Sequence, residues 1–370
     1  MAKQRDPIRI LTAVPICDGH DSAINTINLE LIKNGIEVIY LGYHRSVRSI
    51  VRAAIQEDVR AVGISSYNGG HVEFFSSIVK SLRKEGAGDI SVFGGGGGTI
   101  TADDDKQMRK AGVDKIFFAG TPLKEMIDYI KTQYGKSFAG VAKEKAISSD
   151  RSIAKILTAG KSPAKNGKHA PPVIGFTGPG GAGKTTLIDE FVRRYLQQNP
   201  KHRVAILSHD PSIIGHGALL GDRATMIYSQ DDRVFMRSLA TRGAAGGLAP
   251  ETEKSLKILR NCPFDLVIVE TVGIGQEALP FDDRIIGKKV LVMSPSYGAR
   301  LQLQKIAMLD DADFVVVNKN DLAGAKTAVN EMQQRIRKSP RGATLISTVA
   351  KNHGDPGVLS LLNKVFSSKK

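Results

Sequence analysis

The chain has 370 residues, of which 41% are hydrophobic and 24% charged, the balance of a globular protein with room for two domains. No apolar run is long enough to span a bilayer, and the short apolar stretch near the N-terminus ends at Asp18, which predicts a first strand rather than a signal peptide. The net charge is +15, but residues 131–170 hold nine Lys or Arg and two Asp or Glu, and their only aromatic residues are Tyr134 and Phe138. This pattern favours a solvated basic linker over a nucleic-acid-binding face, with attraction to an anionic partner as the second interpretation.

The cysteine content points to a reducing compartment. Cys17 and Cys262 lie in or beside apolar runs, which is typical of reduced, buried thiols. We therefore expect a cytoplasmic protein.

Between residues 8 and 135, five short apolar runs alternate with helical patterns. The runs predicted as buried strands are Ile8–Ile16, Val38–Leu41, Ala61–Ile64, Ser91–Phe93 and Lys115–Phe118, and the predicted helices cover residues 22–34, 46–57, 71–85, 103–111 and 122–131. This alternation predicts an α/β domain with a doubly wound, parallel sheet. Such sheets bind ligands at the carboxyl ends of their strands, and in a flavodoxin-like order the loops after strands 1 and 3 face each other there.

The loops after strands 1, 3 and 4 have an unusual composition. Asp18 precedes His20 by two residues, a spacing at which the carboxylate can accept the second imidazole N–H and strengthen the histidine as a metal ligand. Strand 3 is followed by the segment SSYNGGH at 65–71, and strand 4 by glycines at 94–98, which would let an extended ligand lie against the backbone. A solvated loop histidine is the ordinary alternative for His20, but the three features together favour one ligand-binding crevice.

These residues carry a family resemblance. Asp18–Ala23 resembles the D-x-H-x-x-G signature of cobalamin-binding domains that hold the cofactor base-off with histidine as lower cobalt ligand, although Ala23 stands where the signature has glycine. Residues 65–71 and 93–99 are similar to that domain of the acyl-CoA mutases, especially the fused isobutyryl-CoA mutases. The resemblance implies a flavodoxin-like (Rossmann-type) fold, adenosylcobalamin as cofactor, His20 as cobalt ligand and Asp18 as the residue that orients it. The cofactor-binding residues that it implies are Asp18, Gly19, His20, Ser22, Ser65, Ser66, Gly94 and Gly95.

Residues 136–171 are dominated by Ser, Lys, Gly and Pro, with one apolar patch at Ile153–Leu157. We predict a flexible basic linker that carries one short helix. The predicted domain organisation is therefore a first domain at 1–135, the linker at 136–171, and a second domain at 172–370.

The second domain begins with a phosphate-binding motif. Gly178–Thr185 matches G-x-x-x-x-G-K-[ST] between an apolar run at Val173–Phe176 and a helical pattern at Leu187–Leu196, which is the strand–loop–helix context that the motif requires. Glycines let backbone N–H groups surround a phosphate, Lys184 reaches the terminal phosphates and the Thr185 hydroxyl binds Mg²⁺. The predicted nucleotide-binding residues are Gly178, Gly180, Gly181, Ala182, Gly183, Lys184, Thr185 and Thr186, with Lys184 also catalytic.

The remaining parts of a P-loop GTPase follow in chain order. The strand Phe264–Val269 leads to Glu270, where an acidic residue at a strand end can hold Mg²⁺, and the loop at 221–223 is a candidate first switch. Gln276 is a candidate for orienting the attacking water, and a plain loop glutamine is an equally good interpretation. The predicted Mg²⁺ ligands are Thr185, Asp210, Asp222 and Glu270.

The choice of base is indicated by N-K-x-D at residues 318–321, directly after the predicted strand Phe314–Val317. In this motif the Asp carboxylate accepts two N–H bonds from guanine, a pair that adenine cannot offer. The sequence therefore predicts GTP over ATP, with Asn318, Lys319, Asp321 and Ser347 at the base.

The second domain also resembles a family. The segments at 210–212, 221–223, 241–248, 270–276 and 292–295 are similar to the GTPase chaperones of methylmalonyl-CoA mutase. The two resemblances together imply a cobalamin-binding mutase subunit fused to its own GTP-hydrolysing chaperone, which gates cofactor loading and protection. They also imply a hetero-oligomer with a separate acyl-CoA-binding barrel subunit, an adenosyltransferase as a further partner, and no nucleic-acid or membrane partner.

Three alternatives stay open at this stage. The first is that the chain is the N-terminal part of a longer fused mutase. The second is a trafficking protein that transfers cobalamin to an unrelated enzyme. The third is a cobalamin-responsive sensor whose GTPase domain signals to another protein. A sensor ranks last because no DNA-binding or signalling segment is visible in the sequence.

Overall fold

The computed structural model describes residues 7–16, 18, 22–135, 147, 149–161, 170–213, 215–273, 281–297, 307–339 and 341–367. The chain forms two compact units: Met1–Lys161 together with Pro211–Ala224, and Ser162–Asp210 together with Thr225–Lys370. Strands and helices are numbered below in chain order.

The first unit contains a parallel sheet with the strand order β5-β4-β3-β1-β2-β8. Its strands are β1 (Arg9–Ala13), β2 (Glu37–Tyr40), β3 (Ala61–Ser65), β4 (Ser91–Gly95), β5 (Lys115–Phe117) and β8 (Ala218–Leu220). β1 and β3 are buried along their whole length, which is why they read as continuous apolar runs rather than as alternating patterns. The order of the first five strands confirms the flavodoxin-like prediction, and β1 and β3 are direct neighbours.

The helices of the first unit are α1 (Ser22–Lys33), α2 (Val47–Gln56), α3 (His71–Lys84), α4 (Ala102–Ala111), α5 (Leu123–Tyr134) and α6 (Asp150–Ala159). Local sequence sets several of their ends. Thr101 and Asp104 form a capping box at the start of α4, and Gly112 ends this helix with φ of 108°. The core of the unit includes an apolar cluster in which the rings of Phe93 and Tyr134 stack, with centroids 5.6 Å apart.

One strand of the first sheet comes from far along the chain. β8 pairs in parallel with β2, and Gly217 N donates to Ile32 O at 2.7 Å just before it. A Cβ at Gly217 would overlap the carbonyl of Ile36, so this close approach requires glycine. The segment 211–224, which the sequence pattern alone placed in the second domain, is thus part of the first compact unit.

A buried network of charges holds the same segment. Arg9 donates to Glu37 and Glu57 at 2.7 Å each, and Arg223 donates to Glu57 Oε1 and to Gln56 Oε1 at 3.1 Å. All five side chains are buried, so the two guanidinium groups and the two carboxylates compensate one another's charge.

A helix, α6, lies within the predicted linker. Gln56 Nε2 donates to Asp150 Oδ2 at 2.7 Å at the start of α6, and Arg151 forms an ion pair with Asp89. Its buried side chains include Ile153 and Ile156, so its apolar face packs within the first unit. The predicted short helix is present, while the boundaries of the linker remain a prediction.

The second unit contains a seven-stranded parallel sheet with the order β13-β12-β11-β6-β10-β7-β9. Its strands are β6 (Val173–Thr177), β7 (Val204–Asp210), β9 (Val234–Ala240), β10 (Leu266–Glu270), β11 (Lys288–Met293), β12 (Phe314–Val317) and β13 (Thr344–Ser347). The helices that complete the chain are α7 (Lys184–Gln198), α8 (Asp222–Thr225), α9 (Thr252–Leu259), α10 (Met308–Asp311), α11 (Ala325–Ile336) and α12 (Pro356–Phe366). An apolar core that includes Phe176 and Phe191 lies between β6 and α7. Among the described residues, no helix combines the length and the apolar character that a membrane crossing needs.

Candidate functional sites

A cavity of about 430 Å³ opens at the carboxyl edge of the first sheet. Its wall is formed by Ala23 and Ile27 of α1, by Ser65 and Gly95 at the ends of β3 and β4, and by Leu123 of α5. Most of the lining is apolar, so the cavity suits a flat apolar group with a few polar contacts. The predicted crevice therefore exists at the predicted edge of the sheet.

The loops after β1 and β3 are joined by a buried carboxylate. The side chain of Asp18 is fully buried, and its Oδ2 accepts the backbone N–H of Tyr67. Tyr67 and Ser65 both line the cavity. Asp18 thus fixes the loop beside the predicted cobalt ligand, which is a role that the sequence did not assign to it.

The glycines that follow β4 are required by close approach. A Cβ at Gly95 would lie 2.5 Å from the backbone oxygen of Phe117, and one at Gly94 would lie 2.6 Å from the ring of Phe75. At Gly96 and Gly97 a Cβ would overlap the carbonyl of Ser66 and the ring of Tyr67. The cavity floor is therefore backbone, and a side chain at any of these four positions would collide with the neighbouring protein atoms.

Of the other residues predicted to bind the cofactor, some are described by the structure and some lie outside the described residues. Ser65 lines the cavity, whereas the Ser66 hydroxyl is buried and lies 3.5 Å from Asn68 O. Gly19 and His20 lie outside the described residues, and Ser22 begins α1 although its side chain is also outside them. The cobalt-ligand assignment for His20 thus remains a prediction.

A histidine outside the predicted set contacts a carboxylate of the neighbouring helix. His71 Nε2 lies 3.2 Å from Asp104 Oδ2 across α3 and α4. Hydrogen bonds from Thr101, together with His71, lower the pKa of the Asp104 carboxyl to about 2. The SSYNGGH segment contained this histidine, but only the helix packing shows its partner.

In the second unit, the phosphate-binding motif forms a tight loop between β6 and α7. Gly178, Gly181 and Gly183 have φ of 138°, 75° and 85°, a conformation that favours glycine. α7 begins at Lys184, whose Nζ donates to Gly178 O at 3.0 Å and to Pro179 O at 3.3 Å. The loop therefore places a buried ammonium group at its mouth, as phosphate binding requires.

Two predicted Mg²⁺ ligands contact each other. Thr185 Oγ1 donates to Glu270 Oε1 at 2.7 Å, and the carboxyl end of β7 places Asp210, a third predicted ligand, in the same sheet. A hydroxyl and carboxylates are hard oxygen donors, which fit Mg²⁺ when phosphates and water complete its octahedron. Within the described residues no three His, Cys, Asp or Glu side chains form a metal cluster by themselves.

The fourth predicted ligand, Asp222, is the first residue of α8 and belongs to the first compact unit. Gln276 lies outside the described residues, so its role stays a prediction. Gly273 is described, and a Cβ there would lie 2.6 Å from Gly180 Cα, so the end of β10 meets the phosphate loop through two glycines. Thr186 is exposed on the first turn of α7.

Asn318 joins the phosphate loop to the loop that follows β13. Its Nδ2 donates to Ala182 O at 3.1 Å, and its Oδ1 accepts from Thr348 Oγ1 and from Ala350 N at 3.0 Å each. The sequence placed Asn318 at the base, whereas the structure shows its amide binding these two loops together. Only the structure shows that Thr348 and Ala350 bind Asn318.

Asp321 and its neighbours lie at the carboxyl ends of β12 and β13. Asp321 is exposed and pairs with Lys351 at 2.6 Å, and this hydrogen bond lowers the pKa of the Asp321 carboxyl. Lys319 has φ of 58°, and Ser347 is the last residue of β13. The predicted base-binding residues are therefore grouped at one edge of the sheet.

The sequence did not assign a role to His209. Its imidazole is buried at the end of β7, between Glu270 O and Thr252 Oγ1, at 2.7 Å from each. Burial lowers the pKa of His209 to about 4. The sequence offered His209 only as the residue before Asp210.

Comparisons with known proteins find two matched domains in this chain. The family described as methylmalonyl-CoA mutase-associated GTPase matches residues 144–365, and the B12-binding domain matches residues 8–126. The fused isobutyryl-CoA mutase of Cupriavidus metallidurans is 39% identical over 361 residues, covering 90% of this chain and 32% of that protein. The enzyme of the same name from Geobacillus kaustophilus is 37% identical over 388 residues, covering 96% and 36%. A putative GTPase of Pyrococcus horikoshii is 36% identical over 213 residues, covering 57% and 65%.

The chain thus spans about a third of the length of the two fused relatives. Both matched domains lie within it, and the predicted resemblances to a B12-binding domain and to a mutase-associated GTPase are confirmed.

Proposed function

From the premise that the chain belongs to the methylmalonyl-CoA mutase-associated GTPase family and carries a B12-binding domain, we propose that it is the adenosylcobalamin-binding part of an acyl-CoA mutase joined to its own GTPase chaperone. In this proposal GTP hydrolysis gates the loading and protection of the cofactor. Carbon-skeleton isomerisation requires an acyl-CoA-binding barrel subunit in addition.

The observation that supports cobalamin binding most directly is the cavity beside Asp18. Its floor is backbone because a Cβ at Gly94 or Gly95 would collide with neighbouring strands, and its lining is largely apolar. A space of about 430 Å³ with this lining fits the nucleotide tail of a base-off cobalamin.

His20 would bind cobalt, and Asp18 would hold the surrounding loop through Tyr67. Ser65 would contact the tail, because it lines the cavity at the end of β3. When bound, adenosylcobalamin supplies a cobalt–carbon bond that can break homolytically, and this radical chemistry belongs to the cofactor. The chain's own residues bind the cofactor, orient it and exclude water from its tail.

In the second unit, Lys184 and the backbone N–H groups of the phosphate loop would bind the GTP phosphates, and Thr185, Asp210 and Glu270 would hold Mg²⁺. A bound Mg²⁺ supplies charge neutralisation on the phosphates. Asp321 would accept the guanine N–H groups, and Gln276 would orient water. The nucleotide state would then bias the loops that follow β10.

The proposed partners are a separate acyl-CoA-binding mutase subunit in a hetero-oligomer and an adenosyltransferase that delivers the cofactor. A cytoplasmic location belongs to the same proposal and agrees with the buried free thiol of Cys262.

The test is an ultraviolet–visible titration of the purified chain with adenosylcobalamin, with and without GTP. We expect a shift to the base-off, histidine-ligated spectrum in the wild-type protein and its loss in His20→Ala. An unchanged spectrum and affinity in His20→Ala would remove the lower-ligand assignment.

The trafficking alternative is tested by transfer rather than by binding. Stable co-purification with a barrel subunit and retention of cobalamin during turnover support the mutase proposal. Release of cobalamin to an unrelated acceptor on GTP hydrolysis would favour trafficking instead.

A further inference from the structure

His209 occupies the end of β7, one residue before the proposed Mg²⁺ ligand Asp210. Its side chain is only 2% exposed, and both ring nitrogens have partners. Nδ1 lies 2.7 Å from Glu270 O, and because a carbonyl can only accept, Nδ1 donates this hydrogen bond. Nε2 lies 2.7 Å from Thr252 Oγ1.

The hydrogen bond to Glu270 continues the sheet where the backbone ladder ends. β10 and β7 pair from Leu266 with Val204 to Val269 with Leu207. On its other side β10 remains paired with β6 as far as Glu270, and Thr271 N donates to Phe176 O at 3.0 Å. The peptide between Glu270 and Thr271 is therefore held by backbone on one side and by the His209 side chain on the other.

We propose that His209 is a positioning residue for GTP hydrolysis, which fixes the peptide after Glu270 and thereby the Glu270 carboxylate that would hold Mg²⁺ with Thr185. Glu270 Oε1 accepts from Thr185 Oγ1 at 2.7 Å, so a shift of the Glu270 backbone moves an oxygen already bound to the phosphate loop. The inference rests on the proposed Mg²⁺ site and assigns His209 a role through Glu270, without contact to the ion.

Thr252 extends the same connection to the loop at 241–251. Thr252 is the first residue of α9, and its hydroxyl also lies 2.6 Å from Ala249 O. Within that loop Gly247 O accepts from Val272 N at 3.0 Å. The loop is thus bound to β10 twice, once beyond Glu270 through Val272 and once through Thr252 and His209.

Three substitutions separate the two bonds of His209. His209→Leu removes both, His209→Asn retains a donor near the position of Nδ1, and His209→Gln retains a polar group near Nε2. The probe is Mn²⁺ binding in the presence of GDP, followed by electron paramagnetic resonance, together with kcat and KM for GTP. Affinity for a fluorescent GDP analogue without divalent metal provides the control for folding and for the base site.

We expect Mn²⁺ affinity and kcat to fall on the order of 10–100-fold in His209→Leu and His209→Gln, the range seen when outer-shell partners of metal ligands are removed. His209→Asn should recover most of both, because the bond to Glu270 O is the one that positions the carboxylate. KM and the metal-free GDP affinity should change by less than about threefold, since no group that touches the base or the phosphates is altered.

A matched pair at Thr252 keeps the inference testable if His209→Leu fails to fold. Thr252→Ser should behave as the wild type, and Thr252→Val should weaken Mn²⁺ binding less than His209→Gln does. If the folded His209 variants bind Mn²⁺ and turn over GTP as the wild type does, His209 is a structural core residue and the inference is wrong. If the wild type itself binds no Mn²⁺ and needs no divalent metal, the proposed Mg²⁺ site is wrong and the inference is overturned with it.

Discussion

Each of the two units has a glycine-rich loop at the carboxyl edge of a parallel sheet, but glycine is needed for different reasons. At the end of β4, Gly94 and Gly95 leave room for a neighbouring helix and strand, because a Cβ would meet Phe75 of α3 or Phe117 of β5. In the phosphate loop, Gly181 has nothing within 4 Å of an added Cβ, yet its φ is 75°. The first loop needs glycine because there is no space for a side chain. The second needs glycine because its backbone is left-handed, a conformation that brings N–H groups together.

The buried charges differ in a similar way. In the first unit Glu57 is fully buried and is shared by Arg9 and Arg223. In the second unit the buried ammonium group of Lys184 lies at the mouth of a nucleotide-binding loop, where its partners are carbonyl oxygens. The buried charge of Glu57 is therefore compensated within the first unit, whereas that of Lys184 lies where the proposed phosphates would bind.

The largest expected change is the loss of unfolding free energy in Glu57→Ala, which tests the buried charges of the first unit. Removing one partner of a buried ion pair leaves uncompensated charge and costs about 3–5 kcal/mol of unfolding free energy. Glu30→Ala is the matched control, because Glu30 pairs with exposed Lys33 at 3.4 Å and should change stability by less than about 1 kcal/mol. Urea unfolding of both variants measures the difference, and equal effects would show that the Glu57 network contributes little.

Lys184→Ala tests whether the second unit uses its buried charge for chemistry. We expect GTP hydrolysis to fall on the order of 10²-fold or more, because stabilisation of developing phosphate charge is lost. Cobalamin affinity should stay at the wild-type value, since the predicted cobalamin-binding residues lie in the other unit. Lys201→Ala, at an exposed position, is the control; loss of cobalamin binding together with hydrolysis would show that the two units are not independent.

Gly95→Ala tests the need for a missing side chain at the cavity floor. The added Cβ would lie 2.5 Å from Phe117 O, which is backbone and cannot move easily. We expect about 1–3 kcal/mol of destabilisation from overpacking, and weaker cobalamin binding. Gly88→Ala is the control because its nearest contact would be an ordinary 3.4 Å; a stable Gly95→Ala with unchanged cobalamin affinity would contradict the close-approach argument.

Local sequence was sufficient for the features that depend on local geometry. The five strands of the first sheet and the phosphate loop lie where hydrophobic runs and motif spacing placed them, because periodicity and left-handed glycines act over a few residues. β8 was not predictable in its place, since its pairing with β2 joins residues about 180 positions apart in the chain. His209 was missed for a related reason: a polar residue becomes interpretable only when its buried partners, Glu270 and Thr252, are known.

The smallest expected effect concerns a pair of buried aspartates. Asp18 accepts the backbone N–H of Tyr67 in the first unit, and Asp189 of α7 accepts those of Ile227 and Tyr228 in the second, at 3.1 and 2.8 Å. Burial raises the pKa of Asp189 to about 6, in spite of these two hydrogen bonds.

A raised pKa means that the folded protein binds this proton more tightly than the unfolded chain does. The contribution of Asp189 to the unfolding free energy is therefore largest below about pH 4 and is lost as the pH rises to about 6. Asp189→Asn does not titrate, so its unfolding free energy relative to the wild type should increase between pH 4.5 and 7.5, whereas the difference for exposed Asp103→Asn should stay flat. Urea unfolding at both pH values measures this. A relative stability that decreases with pH would mean that the two N–H bonds outweigh burial, and that the carboxyl group of α7 is held charged while its helix carries the phosphate-binding lysine at its start.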